Sequence, residues 1–290
     1  MGQYAGSYRQ IPSILFEHDI YFQSIGRQLP NMKGLLKKTK AALEYLKALH
    51  YELGLLPQLD RVQVCSRDNQ QHLLSFLPQL TGRVDDGLRA GIDTARYDFR
   101  AIGREPETML FMGSFRHLPN KEALEWFTRK VLPQVVKMRP RAKLIVIGSD
   151  PPPKHSLPEL PNAIELHGFV EDVRKPLAEY AVFICPILSG SGVRVKLLEA
   201  FAAGIPVVST TIGAEGLADS DGGICVLADD PADFAAKIVA LFDHPEKAEA
   251  MAVRARRHVL ENRDMRTITA RLEQSYREAV KVKRKNPGSV

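Results

Sequence analysis

The sequence predicts an α/β protein built on parallel sheets with helices on both faces. Three observations carry this reading. From residue 108 onward, short apolar runs alternate with longer segments of helical period. The runs, among them Lys143-Leu-Ile-Val-Ile-Gly and Val182-Phe-Ile-Cys-Pro, are apolar nearly throughout, as strands buried on both faces are. Glycine follows the strand ends at Gly113, Gly148, Gly168 and Gly190, and ligands of such sheets gather at the carboxyl ends of the strands.

In chain order, Ser13-Ile-Leu-Phe-Glu-His-Asp reads as a strand that runs into a polar loop. Residues 35–53 place Leu35, Leu36, Ala42, Leu43, Leu46 and Leu49 at helical spacing, with Gly34 just outside the helix. Lys33, Lys37, Lys38 and Lys40 cluster about its start. Val62-Gln-Val-Cys is a short strand, followed by Ser66 as an N-cap and a helix to about Leu77. Residues 81–106 contain Gly82, Gly87, Gly91 and Gly103 without periodicity, which predicts an interdomain linker. Strands then start at Thr108, Lys143, Ile164, Val182, Pro206 and Gly223. Helices are expected over 120–138, 173–180, 193–203, 230–242 and 245–262.

The 290 residues suffice for two domains, and 44% hydrophobic content suits a globular fold. No apolar run is long enough to span a membrane, and MGQYAGSYRQ lacks a signal core. Cys65, Cys185 and Cys225 show no metal spacing, so they read as reduced thiols in the cytoplasm, Cys185 and Cys225 as small core residues of apolar strands. The net charge of +6 suits anionic partners. Its spread along the chain, without a basic–aromatic stripe, argues against nucleic acid. The tail Lys-Val-Lys-Arg-Lys at 281–285 reads as a solvated terminus.

The most informative stretch is SGSGVRVKLLEAFAAGIPVVSTTIGAEGL, residues 189–217. Gly190 and Gly192 permit a sharp turn and a close approach. The helix that follows presents free amides and the positive end of its dipole, an anion site, beside Arg194 and Lys196. Glu199 stands one turn on, among Leu197, Leu198, Ala200 and Phe201. A carboxylate in that setting wants hydrogen-bond donors, and a ribose diol supplies two. The plainer readings are solvated cations for Arg194 and Lys196 and a surface helix position for Glu199. The flanking glycines and apolar residues favour a phosphate and a sugar hydroxyl instead. Asp219-Ser-Asp221, the one Asp-x-Asp, lies in a polar glycine-rich segment and reads as a turn rather than a metal pair.

Residues 190–200 match Gly-x-Gly-x-Arg-x-Lys-x-x-Glu-Ala, and so resemble the donor-binding signature of the retaining glycosyltransferases of family 4, within the glycosyl transferases of group 1. The resemblance implies the GT-B fold, with two Rossmann-like domains on parallel sheets. It places an acceptor-side domain and linker at 1–103 and a donor domain at 104–265. A helix and basic tail at 266–290 return toward the first domain. Glu199 inherits the ribose role, while the family's other glutamate aligns with Ser191, which offers the sugar no carboxylate. Arg194 and Lys196 would neutralise the diphosphate and take part in catalysis together with His18, which would face the transferred sugar. Gly113, with Arg116 or Lys121, would approach the diphosphate; Phe169 and Val170 would cradle the base through their backbone; Gly190, Gly192 and Val193 complete the donor loop. Arg89-Ala-Gly-Ile-Asp and the downstream Phe99 resemble the segment closing the family's first domain.

The implied activity is metal-independent, retaining transfer from a UDP- or GDP-linked sugar to a glycan or lipid-linked acceptor in cell-envelope polysaccharide synthesis, with no cofactor. The basic segment near Lys37 offers a peripheral membrane contact, against the plainer reading of a solvated face. The family's first domain opens with a strand and glycine loop well upstream of the Phe16-Glu-His-Asp segment, which few residues precede here. The resemblance therefore implies an incomplete, N-terminally truncated first domain. Two rival readings stay open: a nucleotide-sugar 2-epimerase and a non-catalytic nucleotide-binding fragment.

Overall fold

Two parallel sheets organise the molecule. The computed structural model describes residues 10–18, 20–32, 34–88, 90–160, 162–190, 192–218 and 220–285. The first sheet has the order β1-β2-β3, formed by Ile14–Glu17, Arg61–Val64 and Val84–Asp86. Between β1 and β2 lie α1 (Tyr21–Gln28) and α2 (Leu35–Leu55); α3 (Arg67–Phe76) follows β2. Ile20, Phe22, Leu56, Val62, Val64 and Leu73 form the core of this half. Ser66 caps α3, its hydroxyl accepting from the Asn69 amide at 3.1 Å.

The second sheet comprises β4 (Glu105–Met112), β5 (Lys143–Ile147), β6 (Ile164–Gly168), β7 (Tyr180–Cys185), β8 (Val207–Ser209) and β9 (Val226–Leu227). Their order is β6-β5-β4-β7-β8-β9, every pair parallel. Around the sheet lie α4 (Leu118–Trp126), α5 (Leu132–Met138), α6 (Arg174–Glu179), α7 (Val195–Ala203), α8 (Pro231–Asp243) and α9 (Pro245–Asn262). Phe111, Leu144, Val146, Phe183, Ile184, Leu198, Phe201 and Phe234 are fully buried between sheet and helices. Each contributes about 1.5–3 kcal/mol through burial. Asp230 caps α8 by accepting from the amides of Ala232 and Asp233 at 2.8 and 3.1 Å. Gly204, at φ +75°, closes α7 in the left-handed conformation.

Several expectations need correction. The segment 81–106 is not a linker throughout: Val84–Asp86 is the third strand of the first sheet. Its single valine among charged neighbours shows no strand pattern; pairing with β2 and the Arg61–Asp85 ion pair hold it. The helix expected over 120–138 is α4 and α5 joined by a π-helical turn, Phe127–Val131, just before Pro133. Such a turn frees a donor-less proline from the regular ladder. Val193 lies outside α7, which starts at Val195 with Arg194 as N-cap. The helix expected over 35–53 extends to Leu55, with Leu35, Leu36, Leu43 and Leu46 exposed and Ala48 and Glu52 buried.

The tail is not simply solvated. Residues 281–285 finish α10 (Met265–Lys285), and Lys283 is buried against Asp60 at 3.1 Å. Burial pushes the Asp60 carboxyl up, but hydrogen bonds from Ser13 and Lys283 outweigh it and hold the pKa below the usual value. Ser275, also on α10, donates to Asp85 at 2.6 Å. The helix that follows the second sheet thus packs on the first.

Candidate active site

The carboxyl ends of β4 to β7 carry the expected glycines along one rim. The Gly113 amide donates to Ile147 and the Gly148 amide to Gly168. A β-carbon on Gly148 would fall 1.7 Å from the Gly113 carbonyl oxygen, so only glycine allows these backbones to touch. Beyond β7, Gly192 adopts φ +81°, and a β-carbon there would lie 3.1 Å from the His18 carbonyl oxygen. The glycine loop therefore rests directly on the end of β1. His18 itself is exposed, its ring edge-on to Phe16 at 4.2 Å, and its carbonyl accepts from the Cys65 thiol at 3.2 Å.

The two cations of the motif behave differently. Arg194 folds back over the loop, its Nη1 donating to the Gly192 carbonyl at 2.6 Å. Lys196 turns inward instead. Its Nζ donates to the Met112 carbonyl at 3.0 Å and to Asn120 Oδ1 at 2.9 Å, and lies 4.9 Å from the Phe111 ring centre. The residue as a whole is only partly buried, but its ammonium is surrounded by protein atoms, and burial pushes its pKa down. Asn120, in the first turn of α4, also donates to the Ser114 carbonyl at 2.8 Å and fills the space where a side chain on Gly113 would go. Gly113, Asn120 and Lys196 form one cradle.

Glu199 is half-buried and accepts from the Tyr97 hydroxyl at 2.8 Å. Burial raises its pKa, with the Tyr97 hydrogen bond acting in the opposite sense. Burial and the same carboxylate push the Tyr97 phenol up. Phe169 stands 76% exposed just past β6, while Val170 packs partly on the core. Arg116 is exposed and pairs with Asp150 at 2.6 Å. Lys121 lies apart, lining a surface cavity of about 220 Å³ with Glu125, Thr128 and Arg129. Ser191 and Asp219 lie outside the described residues, as does Lys33. Asp221 pairs with Lys237 at 2.9 Å and accepts from the Leu227 amide at 2.7 Å, a turn role. All three cysteines are buried, and burial pushes the Cys225 thiol up to about 12.

Sequence reasoning missed Tyr97, Asn120, Arg27 and Glu215. Tyr97 and Asn120 sit inside segments that drew attention for other residues. Arg27 and Glu215 pair across 188 positions, which no local pattern signals.

With this geometry in place, comparison with known proteins bears mainly on the C-terminal half. Residues 106–244 match the family model described as "Glycosyl transferases group 1". Over these residues the chain is similar to the group 1 glycosyltransferases. A 44.6 kDa uncharacterised protein from the cps region of Klebsiella pneumoniae is 30% identical over 171 residues, 55% of this chain and 43% of that protein. The phosphatidyl-myo-inositol mannosyltransferase of Mycolicibacterium smegmatis is 27% identical over 179 residues, 60% of this chain and 45% of its own. The chain thus spans less than half the length of these curated relatives. Anabaena HepE, solved in complex with UDP, superposes with a TM-score of 0.68 at 14% identity, covering 96% of this chain and 75% of that one. The likeness supports the GT-B fold, with which the two parallel sheets agree. Among the described residues, no helix is long and apolar enough to cross a membrane.

Proposed function

We propose that this protein is a group 1 glycosyltransferase that moves a sugar from a UDP- or GDP-linked donor to a glycan or lipid-linked acceptor, with retention at the anomeric carbon and without a metal ion. The observation that supports it most is the meeting of the glycine loop, Arg194, Lys196 and Glu199 at the strand ends, opposite His18. In this reading the diphosphate lies on the amides at the start of α7, and Arg194 leaves the Gly192 carbonyl for a phosphate oxygen. An arriving phosphate favours the charged form of Lys196, which burial alone disfavours.

Transfer breaks the bond between the anomeric carbon and the diphosphate oxygen. The acceptor hydroxyl oxygen bonds to that carbon on the same face, and its proton passes to the departing phosphate oxygen. Arg194 and Lys196 stabilise the charge that develops on the leaving group. Glu199 holds the ribose diol, the backbone at Phe169 and Val170 meets the base, and the His18 ring faces the sugar. The Anabaena protein solved with UDP and UDP-glucose, and a relative named as GDP-mannose-dependent, support the donor class. The Klebsiella relative from a cps region supports an envelope polysaccharide or lipid acceptor. The protein would then act at the cytoplasmic side, with the lysines of α2 as a peripheral membrane contact.

The test is turnover of UDP- and GDP-sugars followed by NMR, with the anomeric configuration of donor and product compared. Release of nucleoside diphosphate with a retained linkage, lost in Arg194→Ala, is expected. Inversion, or epimerised free sugar without transfer, would replace this reading.

A further inference from the structure

Arg27 and Glu215 join three parts of the chain that no motif connects. Arg27, in the last turn of α1, donates from both terminal nitrogens to the two Glu215 oxygens at 2.6 and 2.7 Å. The same Nη1 reaches the Gly190 carbonyl at 3.2 Å. Glu215 is 8% exposed and sits in the turn after β8. That turn is fixed from its other side, where Arg263 donates to the Gly216 carbonyl at 2.9 Å and Gly216 packs against Ser66. A fork held on both oxygens of an anchored, buried carboxylate cannot rotate freely. The same guanidinium thereby ties this carboxylate to the first glycine of the loop before α7. Gly190 adopts φ +101°, and glycines here give the loop little torsional preference of its own.

We infer that Arg27 is a positioning residue of the nucleotide site: clamped by Glu215, it fixes the Gly190 carbonyl and thereby orders the backbone at Gly190 and Gly192 from the first half of the molecule. This rests on the nucleotide-site reading above. Ordering the loop in advance removes an entropic cost that binding would otherwise carry. It also makes donor affinity depend on contact between the two halves.

The experiment compares the full chain with Arg27→Ala, Arg27→Lys, Glu215→Gln and the swap Arg27→Glu with Glu215→Arg. Amide hydrogen exchange over 188–194 is read without ligand, thermal melting is read alongside, and UDP and GDP are titrated by calorimetry. Arg27→Ala should speed exchange in the loop and weaken the nucleotide about tenfold. Arg27→Lys should restore less than half of that effect, because an ammonium cannot hold three acceptors in a fork. The swap should recover the ion pair and the melting temperature, but not the slow exchange or the affinity, since position 27 then has no donor for Gly190. Unchanged exchange in Arg27→Ala, or a swap that restores exchange and affinity along with melting, overturns the inference. If neither nucleotide binds the unmodified chain, the nucleotide-site reading fails, and the loop-ordering role is still decided by exchange.

Discussion

Replacing Glu199 with glutamine should separate function from stability. In the native chain a half-buried carboxylate accepts from Tyr97 at 2.8 Å, and burial raises its pKa above the ordinary 4.5. Glutamine keeps an acceptor for Tyr97 and removes the charge. The Tyr97 bond weakens from charge-assisted to neutral, a loss of about 1 kcal/mol, while the desolvation cost of the carboxylate disappears. A group with a raised folded pKa contributes stability that is present below the unfolded value and lost as pH rises through the folded one. The native chain should therefore lose ground to Glu199→Gln as pH rises from 4.5, and at pH 7 the variant should be equal in stability or slightly above. Ligand binding should move the other way. Two ribose hydroxyls donating to a neutral amide oxygen instead of a carboxylate should weaken UDP or GDP by about 1–3 kcal/mol. A 2′,3′-dideoxy analogue should hardly change. Calorimetry with both ligands and urea melts from pH 4 to 8 make the comparison. Equal losses for both ligands, or a variant clearly less stable at pH 7, would show that Glu199 is a structural residue.

Lys196→Met should keep most of the packing but leave the Met112 and Asn120 acceptors unpaired, and should weaken nucleoside diphosphates at least tenfold in calorimetry. Because burial lowers the Lys196 pKa, the unfolded chain binds the extra proton between that lowered value and 10.5, so native stability should rise with pH across this window. Denaturant melts of Lys196→Met, subtracted from the native curve, should show that rise lost. Gly192→Ala should destabilise by about 1–2 kcal/mol, through left-handed strain and collision with the His18 carbonyl, measured as a lower melting temperature. No change would mean that the loop does not rest on β1.

What the sequence made legible was the part dictated by continuous burial and local caps. Lys143–Ile147 reads as a strand because four successive residues are buried on both faces, and Pro245–Asn262 keeps its bounds because proline starts it. The glycine loop and the helix after it were legible because glycines, cations and helix are contiguous. Tertiary override escaped notice. Val84–Asp86 is a strand through its partner and an ion pair, not its pattern. Lys283 looks like a tail cation until α10 lays it on Asp60. Lys196 looks like a surface cation beside Arg194, yet enters the α7 helix pointing at β4. Tyr97 and the Arg27–Glu215 clamp depend on contacts about a hundred or more positions apart. No window of sequence contains both partners.

The most direct measurement is a crystal structure of the chain with UDP or GDP. The expected result is a diphosphate within hydrogen-bond distance of the amides that open α7 and of the Arg194 guanidinium, with the ribose hydroxyls on Glu199 and the base beside Phe169 and Val170. A nucleotide bound elsewhere, or a diphosphate that touches neither Arg194 nor the glycine loop, would contradict the assignment of this site.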